Sequence, residues 1–69
     1  MTRLEFNYAC YTVIDGKRAY YTGEAAESWL GPSVRAYTFT EEGAYAKLRS
    51  LDYFGRFMGL PPFAVERLV

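Results

Sequence analysis

The stretch from Thr38 to Pro62 carries the start and the stop of one helix in its own residues, and the chain must fold so that the helix's apolar side is covered. Thr40 is placed to accept, at its hydroxyl, from an amide two or three residues on. Glu41 and Glu42 set negative charge against the positive end of the helix dipole. Ala44, Leu48, Leu51 and Gly55 then recur at steps of three and four, flanked by Tyr45, Phe54 and Met58, which predicts one apolar stripe along about four to five turns. Lys47, Arg49, Ser50 and Arg56 fall mainly outside that stripe. Gly59 suits the left-handed position after the helix, and Pro61 and Pro62 forbid its continuation.

Upstream, Leu4, Phe6, Tyr8, Cys10, Thr12 and Ile14 alternate with Arg3, Glu5, Asn7, Ala9, Tyr11 and Val13, the period of a half-buried strand whose core face is the first set. Asp15-Gly16 is a strong hairpin signal, because a type I′ turn needs positive φ at both central residues. A two-residue loop fixes the register: Ile14 with Lys17, Val13 with Arg18, Thr12 with Ala19, Tyr11 with Tyr20 and Cys10 with Tyr21. Tyr21 and Ala19 then join the core face, and Tyr11 and Tyr20 meet on the outer one.

Glu24 to Leu30 reads as a short helix stopped by Gly31-Pro32, with Trp29 folding down as a lid over one end of the core. Val34 to Phe39 reads as a third strand with Tyr37 and Phe39 inward. Pro62 suits the first turn of a last short helix in which Ala64, Val65 and Leu68 pack back and Phe63 anchors the corner. The expected fold is α+β: a small antiparallel three-stranded sheet, elements in the order β-β-α-β-α-α, with the helices on one face.

At 69 residues the chain is one domain, 1–69, which hides only about 60% of the surface its unfolded form exposes. Eight acidic and eight basic residues cancel, which counts against unaided binding to a polyanion. Cys10 is the only cysteine, so no intrachain disulfide forms, and a reducing, cytoplasmic setting is expected with the thiol acting as a small buried hydrophobe. The N-terminus shows no basic stretch followed by an apolar run, and no apolar run approaches the ~20 residues that span a bilayer. Export and membrane anchoring are not expected.

Histidine is absent, which removes the commonest general base, the commonest metal ligand and any His-activated nucleophile. Each carboxylate has a local structural role or a solvent-facing position as its explanation: Asp15 makes the turn, Glu41 and Glu42 favour the helix start, and Asp52 can pair with Lys47, Arg49 or Arg56. No glycine spacing matches a phosphate loop. The chain reads as no enzyme, with no catalytic residue, metal or cofactor, so its function rests on surfaces.

Two surfaces stand out. Glu24, Glu27, Glu41 and Glu42 form an acidic patch if the short helix and the start of the long one lie together, and such a patch fits a basic groove on another protein. Seven Tyr, five Phe and one Trp exceed what one small core needs, which points to Tyr11, Tyr20 and Tyr53, with Phe57, as exposed contacts. The reading is a non-catalytic protein-binding module, an inhibitor that occupies a surface of a larger partner. One alternative is a single-stranded nucleic-acid binder stacking bases on Tyr11 and Tyr20 beside Arg18 and Arg35, against which the neutral charge counts. Another is a subunit-contact protein whose aromatic face pairs with a second copy, as in a homodimer.

In its general character, with Leu4 to Ile14, Asp15-Gly16 and Thr40-Glu41-Glu42 as the only landmarks of a tiny, histidine-free, aromatic-rich α+β chain, the sequence resembles the small phage-encoded proteins that inhibit CRISPR systems. That resemblance implies a protein acting in the host cytoplasm. Such a protein blocks a Cas effector, either by masking its DNA-binding surface with acidic groups or by jamming its assembly.

Overall fold

The computed structural model describes residues 5–23 and 28–68. Two strands, β1 (Tyr8–Ile14) and β2 (Lys17–Tyr21), form a hairpin, and a two-residue strand β3 (Leu30–Gly31) lies on the free edge of β2. A 3₁₀ turn at Ser33–Arg35 leads to the α-helix α1 (Glu41–Phe57), and the chain returns as β4 (Ala64–Arg67) beside β1. The sheet has the order β3-β2-β1-β4 with every neighbouring pair antiparallel, and α1 packs across one face.

The hairpin has the predicted register, Tyr11 opposite Tyr20 through to Ile14 opposite Lys17. Asp15 and Gly16 take φ of 52° and 77°, the pair of positive values that the turn requires. The helix likewise begins and ends where its residues dictate. The Thr40 hydroxyl accepts from the Gly43 N–H at 3.1 Å. At the other end Gly59 has φ 72°, the Leu60 N–H donates to the Gly55 carbonyl at 2.8 Å and the Gly59 N–H to that of Arg56 at 3.2 Å, a Schellman motif. Ala44, Leu51 and Gly55 are buried with Cys10, Tyr21 and Phe63, and Leu48, Trp29, Phe39 and Val65 pack around them. Trp29 thus covers the core as expected, its ring stacked on Phe63 with centroids 6.1 Å apart.

Several expectations need correction. The fold is α+β, but its sheet has four strands and, among the described residues, one α-helix, where three strands and three helices were expected. The last segment is strand β4 and no helix. With Pro61 before it, Pro62 has no side-chain cap to start a helix, and so short a helix is marginal. Pairing with the open edge of β1 instead matches Tyr8, Ala9, Cys10 and Tyr11 to Arg67, Glu66, Val65 and Ala64.

Residues 34–39 form no third strand, because Leu30–Gly31 already occupies the β2 edge; Val34 is exposed, the Tyr37 N–H donates once to the Tyr21 carbonyl, and Phe39 forms an isolated bridge, exchanging both backbone hydrogen bonds with Tyr8. Phe39 does pack inward, whereas Tyr37 is more than half exposed although its ring leans on Tyr21 and Phe39. The expected helix at Glu24 to Leu30 ends in strand β3, and its residues 24–27 lie outside the described ones. Phe6, placed on the core face, precedes β1 and is exposed.

β4 enters the sheet through one clamp. The Phe63 ring sits against Gly55, where a Cβ would come within 3.1 Å of the ring and 3.6 Å of Leu60. The Asp52 carboxylate accepts from the Phe63 N–H at 2.6 Å, and the Thr12 hydroxyl donates to the Pro61 carbonyl at 2.9 Å. Asp52 therefore ties the helix to the β4 entrance, a role the sequence reading gave to pairing with helix cations.

Because Phe63 is held at its backbone and stacked on Trp29, its ring cannot yield to an added methyl. Gly55→Ala should lower stability by about 1–2 kcal/mol through overpacking, although an exposed helical site would gain about 1 kcal/mol from the same change. Asp52→Ala should cost about 1–3 kcal/mol by leaving the Phe63 N–H without its partner. Urea denaturation of the two variants measures both.

Candidate interaction surface

The two faces of the sheet differ in what they leave open. On the face away from α1, Ala9, Tyr11, Val13, Arg18, Tyr20 and Glu66 lie together. Tyr20 is only 6% exposed, and its hydroxyl donates to Glu66 Oε1 at 2.6 Å. The other Glu66 oxygen pairs with the Arg18 guanidinium, which also lies 4.6 Å above the Tyr11 ring. Tyr20 is therefore a structural residue and no exposed contact, and the ring face of Tyr11 is covered by Arg18. The Tyr11–Tyr20 pair, with centroids 5.6 Å apart, stabilises the hairpin.

The acidic residues divide. Glu41 and Glu42 are exposed in the first turn of α1. Glu41 also engages the Tyr8 hydroxyl, whose pKa is pushed up first by desolvation and then by that hydrogen bond and the carboxylate charge. Glu24 and Glu27 lie outside the described residues, so the expected patch is placed only at its Glu41–Glu42 half.

The outer side of α1 is the open surface. Tyr53 and Phe54 are 60% exposed, Met58 61% and Phe57 76%, on a helix whose opposite side supplies the core. Tyr53 meets Phe57 edge-on at 5.1 Å and Phe54 at 6.1 Å, so the rings form one cluster. At 100° per residue Tyr53 and Phe57 share the side of α1 turned away from Ala44, Leu51 and Gly55, and Phe54 lies at the margin between that side and the groove. Phe54 and Met58 also form one wall of a groove of about 310 Å³ whose other sides are Tyr21, Trp29, Lys47, Ser50 and Leu51. Groove and ring cluster are thus continuous. The helix period points to Tyr53 and Phe57 as exposed and sets Tyr45, Phe54 and Met58 beside the packing stripe; α1 buries only Ala44, Leu51 and Gly55 fully, so those three flanking side chains are exposed as well.

Cys10 is fully buried, its thiol donating to the Ala44 carbonyl at 3.3 Å. Burial pushes its pKa up to about 11, with Lys47 lowering and Asp52 raising it. Among the described residues no three metal-ligating side chains are gathered, and no helix is long and apolar enough to cross a membrane.

Comparison with protein families, with characterised proteins and with solved structures finds no match to this chain. What it does is therefore argued from the surface itself.

Two measurements check this geometry. Tyr20→Phe should cost about 1 kcal/mol and leave the Glu66 carboxylate with one fewer donor, read by denaturation. Because the Cys10 pKa is raised on folding, its contribution to stability is complete below the thiol's unfolded value near 9 and is lost as pH climbs towards about 11. The thiol should therefore resist iodoacetamide at pH 8 in the native protein and react once urea unfolds it, and native stability should decline across that alkaline window.

Proposed function

We propose that this chain is a non-catalytic protein-binding module, an inhibitor that occupies a surface of a larger partner with the aromatic side of α1. One observation carries the reading: Tyr53, Phe54 and Phe57, each at least 60% exposed, contact one another on α1, and the equally exposed Met58 just past the helix end shares the groove wall with Phe54. Large apolar side chains gathered in one exposed patch cost solubility and mark contact sites, and aromatic rings give much contact area for little lost side-chain entropy. The outer sheet face offers less, since Tyr20 is buried and Arg18 and Glu66 hold each other. This also weakens the base-stacking alternative, whose four residues include that buried tyrosine and that paired arginine. The resemblance to phage-encoded CRISPR inhibitors makes a nucleic-acid-handling effector the partner class to try first. Glu41 and Glu42 would form the acidic edge of the contact.

Photo-crosslinking tests the reading. A photoreactive phenylalanine analogue at position 57 should give an adduct with a larger host protein in cells, and the same residue at position 13, exposed on the outer sheet face, should give none. Adducts from position 13 alone, or from position 57 only with a second copy of the chain, would overturn it. With the captured partner purified, Phe57→Ala should weaken binding by about 30-fold, the loss expected of a central aromatic anchor.

A further inference from the structure

The aromatic side of α1 is bordered by cations on both flanks. Around the helix, Lys47 lies beside Phe54 on the groove side, while Arg49 and Arg56, two turns apart, lie beside Tyr53 on the other. The Lys47 ammonium stands 4.9 Å from the Tyr21 ring centroid, which holds it at the groove wall. Arg49 and Arg56 line a second shallow hollow with Asp52 and Tyr53. Asp52 is the one acid on the helix beyond its first turn, and its Oδ1 already accepts from the Phe63 N–H. Beyond the first turns of α1, where Glu42 still neighbours Arg49, the exposed rings of Tyr53, Phe54 and Phe57 thus lie between two positive margins in a protein whose overall charge is zero.

The groove sets the size of what enters. At about 310 Å³ it stands at the bottom of the range for small-molecule sites, room for one or two apolar side chains and little more. Because it opens onto the exposed rings, only a surface that continues past it covers Phe57 and Tyr53 as well. A helix does both, since residues three, four and seven apart line one side and seat as anchors along such a strip. Carboxylates flanking those anchors would then meet Lys47 on one margin and Arg49 and Arg56 on the other.

We infer that the segment of the partner that α1 receives is an amphipathic helix with aliphatic or aromatic anchors flanked by Asp and Glu, one anchor seated in the groove under Trp29. The inference rests on the proposed role of the aromatic side of α1 and adds the chemistry of what meets it. Along the cation-flanked part of α1 it reverses the polarity expected from the sequence, in which this chain supplied the acids and the partner the bases, and it leaves Glu41 and Glu42 at the N-terminal edge of the contact.

The test uses the full chain and a library of random peptides about 16 residues long, enough for roughly four helical turns. Peptides selected on the immobilised protein are titrated against it by the fluorescence of Trp29, the sequence's one tryptophan, which lines the groove. The expected winners space apolar residues three and four apart among Asp and Glu, shift the Trp29 emission, and lose about tenfold in affinity between low salt and 0.5 M NaCl as the flanking charges are screened. Exchanging their acids for Gln should weaken them by a similar factor. Lys47→Glu should do the same; because Lys47 also touches Tyr21, and Arg49 and Arg56 neighbour Asp52, the exposed pair is changed singly, Arg49→Gln and Arg56→Gln, with urea denaturation as the check that each variant is folded. Winners without acids, or ones weakened by reversing Glu41 and Glu42 but not by changing the three cations, would overturn the inference and leave the aromatic contact standing. If no peptide binds, or if Phe57→Asp leaves binding intact, the contact itself falls with it.

Discussion

The seat of Phe63 against Gly55 is the contact on which the rest of this structure depends. The chain leaves α1 through a Schellman turn and two prolines, and it must arrive beside β1 in register after only a few residues. Three independent forces fix the arrival point: burial of the Phe63 ring, worth about 2–3 kcal/mol, the charge-assisted bond from its N–H to Asp52, and the Thr12 hydroxyl on the Pro61 carbonyl. The absence of a side chain at residue 55 lets the ring approach the helix axis closely enough for all three to act at once. Trp29 then stacks on the same ring, so the β3 end of the sheet and the β4 end are joined through one side chain.

Local signals in the sequence reported local structure well. The caps at Thr40 and Gly59 and the Asp15-Gly16 turn act through atoms a few residues apart, so their residue types determine geometry with little outside help, and both the helix and the hairpin register follow. What failed was competition for sheet edges. Whether Ala64–Arg67 is helix or strand, and whether Leu30–Gly31 or residues 34–39 takes the edge of β2, depends on which backbone partner is vacant once the hairpin and helix exist, and no residue pattern within the segment carries that fact. Asp52 shows the same limit in a side chain: its neighbours in sequence are cations, while its partner in space is an amide eleven residues on.

Surface reading had a similar split. The excess of aromatic residues was visible in composition, and its placement on Tyr53 and Phe57 followed from the helix period. Tyr20 misled because alternation assigns a face of the sheet without saying whether that face is covered, and here Arg18 and Glu66 close over it. Phe54 and Met58 were assigned inward because they flank the stripe. A helix laid on a sheet of mostly short strands has a narrow buried sector, so residues at its margin remain in water.

The outer rings of α1 take no part in the clamp or in the sheet, and the core closes without them. The fold and the exposed aromatic ridge therefore draw on separate sets of side chains carried by the same element. Such a division gives latitude: exchanging Tyr53, Phe54 or Phe57 alters the exposed ridge at small risk to foldedness, whereas Gly55, Asp52 and Phe63 tolerate no such change.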